Sequence, residues 1–233
     1  MRIRLRDLGK YVSYFSELRR YSAMPGAETV AWKDLYPCLG ERTSVTGFDT
    51  HYFYQDIWAF RKIFESGVRE HVDVGSKVDY VGFLTAITKV TFIDIRPLRA
   101  NLSNFTSLTG SILSIPFPDG SVSSLSCLHV AEHIGLGRYG DPLDPQGTIK
   151  ACRELRRVLA PGGNLYFGLP VGKPRVCFNA HRIHSADSIR SYFDGLALKE
   201  FSLVDDSGIF TVGADIARAN EARYGCGLFH FTR

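Results

Sequence analysis

Between residues 72 and 171 short β-like runs alternate with helical stretches, and this alternation limits the architecture more than any other feature of the chain. The runs lie at 72–75, 91–95, 107–112, 122–130 and 165–171. Strands separated by helices need crossover connections, so the pattern predicts an α/β domain with a mainly parallel sheet and helices on both faces. The clearest helix spans about 145–159, with Ile149, Cys152, Leu155, Val158 and Leu159 on one face and Lys150, Arg153, Arg156 and Arg157 towards another. Ala160-Pro161-Gly162-Gly163 stops it, because proline blocks continuation and glycine accepts positive φ. Cations near that end suit the helix dipole and are not read as a nucleic-acid site.

Residues 1–70 read as a helical cap or lid ahead of the main domain at 71–233, the two making one structural domain. A helix is expected near 5–21, then a Pro/Gly-containing connector to about Gly47, then a helix near 52–66. In the latter, Phe53, Ile57, Phe60, Ile63 and Phe64 recur at helical spacing and should dock on the sheet. His51 to Gln55 are placed to close over a ligand, with Tyr54 or Gln55 touching it. After residue 171 come a polar loop to His184, a helix capped by Ser185, a β-like run at 196–204 and a last strand at 227–231.

Composition narrows the function classes. At 233 residues one core suffices, and 45% hydrophobic with 22% charged residues is ordinary globular usage, which disfavours disorder. Apolar runs such as 165–171 are far below the roughly 20 residues that span a bilayer, and the amino terminus lacks the apolar stretch of a secretory signal. Cys38, Cys127, Cys152, Cys177 and Cys226 are scattered without a Cys-x-x-Cys pair, so neither a zinc knuckle nor a disulfide framework is expected. A cytoplasmic location fits. The net charge is +4, and residues 1–33 hold seven Lys/Arg against three Asp/Glu; this reads as a solvated first helix, with no nucleic-acid partner expected.

The strongest constellation starts at Asp73-Val74-Gly75-Ser76, an acid and a glycine closing an apolar strand, with Asp94 following 21 positions after Asp73 at the end of the next strand. In a Rossmann-type half this spacing places an acid where it accepts from both hydroxyls of a ribose, while the first loop faces the rest of the ligand. A nucleoside pocket is predicted.

Residues 110–121, Gly-Ser-Ile-Leu-Ser-Ile-Pro-Phe-Pro-Asp-Gly-Ser, resemble the motif after the third strand of class I S-adenosylmethionine-dependent methyltransferases. Residues 153–163 are similar to the helix and turn before their fifth strand. Residues 126–133, followed by the Gly-rich 135–141, resemble an uncharacterised branch of that superfamily defined by a domain of unknown function, one associated with bacterial polysaccharide genes. The resemblance is firm over 72–171. It implies a Rossmann-like methyltransferase fold with a seven-stranded sheet, S-adenosylmethionine as cofactor, and a cofactor site made of Asp73, Gly75, Ser76, Lys77, Asp79, Asp94, Ile95, Ser111, Ile112 and Leu128. Two departures stand out. Lys77 and Asp79 occupy positions where the family's first loop carries glycine; they could meet the donor's carboxylate and amino group, or Lys77 could block the cavity. Ser111 replaces a common acid, and its hydroxyl accepts more weakly from an adenine amino group.

Acceptor chemistry is expected beyond the fourth and fifth strands, outside their carboxyl ends. His133 is the first candidate base, with Glu132 as its orienting partner or an alternative base, and His181 a further candidate. Arg138, Tyr139 and Asp141 are candidates for recognising a polar acceptor, a small molecule or a glycan. His129, His133, His181 and His184 could converge, yet no compact His/Cys motif is present and no metal is expected. O-methylation is the leading reading. An inactive methyltransferase-like binding module and a nucleotide-sugar-binding protein are the alternatives.

Overall fold

A computed structural model describes residues 8–233. The chain divides into two compact units, one ending at Phe48 and the other spanning Asp49–Arg233. In the first, helix α1 (Leu8–Ser22) carries no buried residue, and a short 3-10 turn follows at Trp32–Asp34. The start of the helix expected at 5–21 and the basic Arg2, Arg4 and Arg6 lie outside the described residues.

The unit boundary falls at 48/49 instead of at residue 70, because helix α2 (Thr50–Ser66) buries Gln55, Trp58, Ala59 and Ile63 in the second unit. Asp49 caps α2, its Oδ1 accepting from the backbone N–H of His51 (3.0 Å) and Tyr52 (3.2 Å), and Gly67 ends it with φ 62°. Then follow β1 (Glu70–Val74), α3 (Val78–Leu84), β2 (Lys89–Asp94), β3 (Phe105–Thr109), β4 (Val122–Leu128), α4 (Gly147–Val158) and β5 (Leu159–Val171). The remainder is β6 (Arg175–Cys177), β7 (His181–Ile183), α5 (Ala186–Tyr192), β8 (Ala197–Val204), β9 (Phe210–Val212), α6 (Ile216–Glu221) and β10 (Gly225–Thr232).

The main sheet has the order β3-β2-β1-β4-β5-β10-β8-β9. Its first five strands pair in parallel, whereas β10 runs antiparallel to both β5 and β8, and β9 antiparallel to β8. The expected seven strands become eight because Phe210–Val212 extends the far edge. The polar loop expected after residue 171 is partly a hairpin, β6 with β7. Strand alternation separates two apolar layers. Val72, Val74, Leu125, Cys127, Leu165 and Phe167 pack with α4 and α5, whereas Phe92, Leu128, Tyr166 and Leu228 pack with α2 and α3. Helices therefore cover both faces. Among the described residues no helix is long and apolar enough to cross a membrane.

Candidate functional site

Strands β1, β2 and β4 end at one edge of the sheet, and a cavity of about 330 Å³ opens there, within the size range of small-molecule sites. Its walls come from the residues just beyond β1 (Gly75), β2 (Asp94 to Arg96), β3 (Gly110 to Leu113) and β4 (His129, Val130), with the loop at Tyr139–Pro142 across the mouth. Two glycines keep the walls bare. Gly75 has φ 71°, and a Cβ there would stand 3.0 Å from Val130 Cγ1 and 3.8 Å from Asp94 Oδ2; a Cβ on Gly110 would stand 2.9 Å from Ile93 Cγ2. Asp94 and Asp141 are the acids of the wall. Asp94 Oδ1 accepts from the backbone N–H of Arg96 at 2.7 Å, and the Arg96 guanidinium lies 4.9 Å over the Tyr139 ring. Ile93, Ile95, Ile112, Leu113, Val130 and Ile134 supply the apolar lining. Ser111 also lines it, and its Oγ accepts from the Leu113 N–H at 3.1 Å.

Asp73, Ser76 and Leu128, assigned to cofactor contact by sequence, stand behind this wall instead. Alternation along β1 turns Asp73 away from Val72 and Val74, and it is fully buried. One Asp73 oxygen accepts from Ser76 N–H (3.0 Å), the other from Ser76 Oγ (2.7 Å) and from the Ser126 hydroxyl. Ser76 Oγ in turn accepts from the Leu128 N–H at 3.0 Å, so the network ties the β1 loop to the end of β4. Burial raises the Asp73 carboxyl to about 6 against the opposing hydrogen bonds from Ser126 and Ser76. His71, with both ring nitrogens 2.8 Å from Ser124 and Ser126 hydroxyls, extends the same buried layer; burial lowers it to about 3. Lys77 and Asp79 are likewise not in the cavity wall. They pair with each other at 3.5 Å, both substantially exposed, and the Lys77 ammonium lies 5.7 Å over the Tyr52 ring.

The residues after β4 make a 3-10 turn, Ala131–His133. His133 lines the cavity, and its Nδ1 lies 2.6 Å from the Ala180 carbonyl, which places the proton of the neutral ring on Nδ1 and the lone pair on Nε2. Nε2 stands 3.6 Å from Glu132 Oε1. Glu132 is fully buried and neither carboxylate oxygen has a hydrogen-bond partner. Burial raises Glu132 to about 8 and lowers His133 to about 4, the latter helped by Arg138 and His181. Between those values both groups are neutral, so their contact is not an ion pair at neutral pH. Arg138 donates to the same Ala180 carbonyl at 3.0 Å and lies over Tyr139. Asp141 accepts through Oδ2 from Gly135 N–H (2.5 Å) and through Oδ1 from Tyr139 N–H (3.3 Å), so its carboxylate organises the loop. Burial opposes its ionisation, but these backbone donors hold it below the ordinary carboxylate range. His181, on β7, lies outside the cavity wall, with its ring 5.3 Å from that of Tyr224.

Sequence reasoning passed over several residues here. Arg182, only 6% exposed, donates to the carbonyls of Ile134 (2.5 Å) and Asp144 (2.9 Å) and staples the loop after β4 to the β6–β7 hairpin. Tyr224 and Cys226 were missed because the search followed the ends of parallel strands, whereas the start of antiparallel β10 reaches the same edge, Cys226 pairing with Pro170. The lid role expected for His51 to Gln55 gives way to packing at Gln55, which is buried with Oε1 2.5 Å from His129 Nδ1. His129, His133, His181 and His184 do not converge. Among the described residues only His129 belongs to a set of donors close enough to share an ion, and its neighbours are His51 and Cys226.

The fold is that of the class I methyltransferases, as the structural comparisons show. N-methyltransferase NodS from Bradyrhizobium japonicum, solved with S-adenosyl-L-homocysteine, shares 17% identity over 93% of this chain and 96% of its own, with a TM-score of 0.56. A protein from Galdieria sulphuraria, described provisionally as a sarcosine dimethylglycine methyltransferase, shares 18% identity over 77% of this chain and 85% of its own, with a TM-score of 0.53. The [4+2]-cyclase SpnF is similar at 15% identity over 76% and 79%, also with a TM-score of 0.53. A family model described as a Caenorhabditis protein of unknown function, DUF268, matches residues 120–208, a span that holds Glu132, His133 and Arg138. No curated protein matches the sequence.

Proposed function

We propose that the chain is an S-adenosylmethionine-dependent methyltransferase acting on an oxygen of a small molecule or glycan. The observation that carries this reading is the cavity at the strand ends, where the Asp94 carboxylate stands opposite the side-chain-free backbone of Gly75. S-adenosylmethionine supplies an electrophilic methyl group on its sulfonium. Asp94 accepts from the ribose hydroxyls, and the Ile95, Ser111 and Ile112 segment borders the adenine, with Ile112 and Leu113 giving it apolar contact. Asp73, Ser76 and Leu128 hold the β1 loop and the end of β4 in register without touching the donor. Because the second and third loop glycines are replaced, a dinucleotide pyrophosphate would lack the close backbone approach it requires, which disfavours a nicotinamide cofactor.

At the acceptor end His133 and Tyr139 line the cavity, Glu132 is buried beside His133 Nε2, and Arg138 donates to the Ala180 carbonyl next to them. Positioning contributes several kcal/mol to an in-line transfer, and proton removal by a base adds to it. Calorimetry of the wild-type chain with S-adenosylmethionine and S-adenosyl-L-homocysteine tests the assignment: saturable binding of both is expected. Absence of both would leave a donor-free binding module on the same fold.

A further inference from the structure

We propose that His51, His129 and Cys226 form a binding site for a thiophilic d-block cation, zinc foremost, beside the strand-mouth cavity. One donor atom of each residue lies within 4.8 Å of the other two. The three come from distant parts of the chain: the first turn of α2, the residue after β4, and the start of β10. They meet because α2 packs against both strands and β10 lies beyond β5 in the sheet.

A second observation points to a ligand independently. His129 is part-buried, but its Nε2 atom is fully shielded and has no hydrogen-bond partner. Its Nδ1 lies 2.5 Å from Gln55 Oε1, whose amide nitrogen donates to Asp56 Oδ1 at 3.1 Å. An amide oxygen only accepts, so Nδ1 carries the proton and Nε2 keeps its lone pair. Metal-binding histidines are oriented in this way, with the remote ring N–H given to an oxygen. His51 and Gln55 sit four residues apart on α2, so one helix face supplies both a donor and the support for another. His129 also has φ 56°, a conformation that side-chain-bearing residues rarely adopt and that is retained chiefly at functional sites.

The donor set suits zinc: two imidazoles and one thiol, which binds as thiolate. A bound cation takes the imidazole lone pairs and displaces the Cys226 thiol proton to solvent as the sulfur–metal bond forms. Zinc sits roughly 2.0–2.3 Å from nitrogen and sulfur, so the donors would draw closer around it. Three protein ligands leave a fourth position open. His129 lines the cavity and also belongs to this cluster, so an ion here could bind and acidify an acceptor hydroxyl. That role rests on the methyl-transfer reading; the binding itself does not.

The test uses the full chain stripped by chelator and titrated with Zn²⁺ alone by calorimetry and with Co²⁺ alone by absorption. One ion per chain is expected, with a thiolate-to-cobalt band that Cys226→Ser abolishes. His51→Ala, at a half-buried first turn, should weaken Zn²⁺ strongly, and Gln55→Ala by about 10- to 100-fold, with thermal melts showing each variant folded. Titration of the same stripped protein with S-adenosyl-L-homocysteine separates failure of this site from failure of the cofactor reading. No bound ion would overturn the proposal, and so would binding unchanged in both Cys226→Ser and His51→Ala, which would mean an adventitious ion only.

Discussion

The two sides of the strand mouth treat their polar groups differently. On the side of β1 to β3, Asp94 accepts from Arg96, Ser111 from Leu113, and Asp73 from Ser76 and Ser126. On the side of β4, His129 Nε2 and both oxygens of Glu132 are buried without a partner, and of the unpartnered buried side-chain atoms among the described residues only His184 Nε2 lies elsewhere. Buried polar atoms are normally satisfied, and leaving one unmade costs about 1–3 kcal/mol. The first side satisfies its own polar groups, and the second leaves three buried side-chain atoms without a partner.

The comparison can be broken most sharply at His133. If the β4 side performs chemistry and the β1 to β3 side binds donor, His133→Ala lowers turnover by about 10²- to 10⁴-fold once an acceptor is found. Full activity in that variant would move the base to Glu132 or His181. Glu132 offers a test that needs no acceptor. Its folded value, about 8, lies above its ordinary 4.5, so the folded state holds a proton that the unfolded state releases. Its contribution is fully present below about pH 4.5 and is lost as pH rises through 8. In chelator-treated protein, Glu132→Gln should therefore melt progressively higher than wild type between pH 5 and pH 9, by on the order of a few kcal/mol at the alkaline end. A constant difference across that range would mean the carboxyl is not held neutral.

Smaller effects sharpen the other side. Asp94→Ala removes a charged hydrogen-bond acceptor from a wall that otherwise persists, so donor affinity should fall about 10- to 150-fold, roughly 1.5–3 kcal/mol, in titration calorimetry. Lys77→Gly should matter least, because Lys77 is half exposed and paired with Asp79, and glycine serves acceptably at a helix N-cap. A rise in donor affinity would identify Lys77 as an obstruction to the cavity, and a fall matching that of Asp94→Ala would give it a direct contact.

What the sequence revealed follows the same division. The sheet, the Gly75 turn and the Asp94 position were readable because strand alternation and the spacing between Asp73 and Asp94 are local properties of consecutive elements. Which way a side chain faces was harder. Asp73 reads as a ligand contact until the alternation of β1 turns it to the α2 and α3 layer, whereas Asp141 does line the cavity while its oxygens also hold Gly135 and Tyr139 N–H groups. The cluster on the β4 side was least accessible, since His51, His129 and Cys226 are brought together by a helix packing and an antiparallel strand insertion that no spacing encodes. Cys226, in particular, has only His230 near it in sequence, and that histidine is not among the donors it meets.

The proposed function assigns donor binding and acceptor chemistry to two walls that meet at His129 and Val130. S-adenosyl-L-homocysteine titrated by calorimetry into wild type, Asp94→Ala and His133→Ala, all shown folded by thermal melts, tests it directly. The account predicts an affinity loss of about 10- to 150-fold in Asp94→Ala and a change of no more than a few fold in His133→Ala. Equal losses in the two variants, or unchanged affinity in Asp94→Ala, would contradict it.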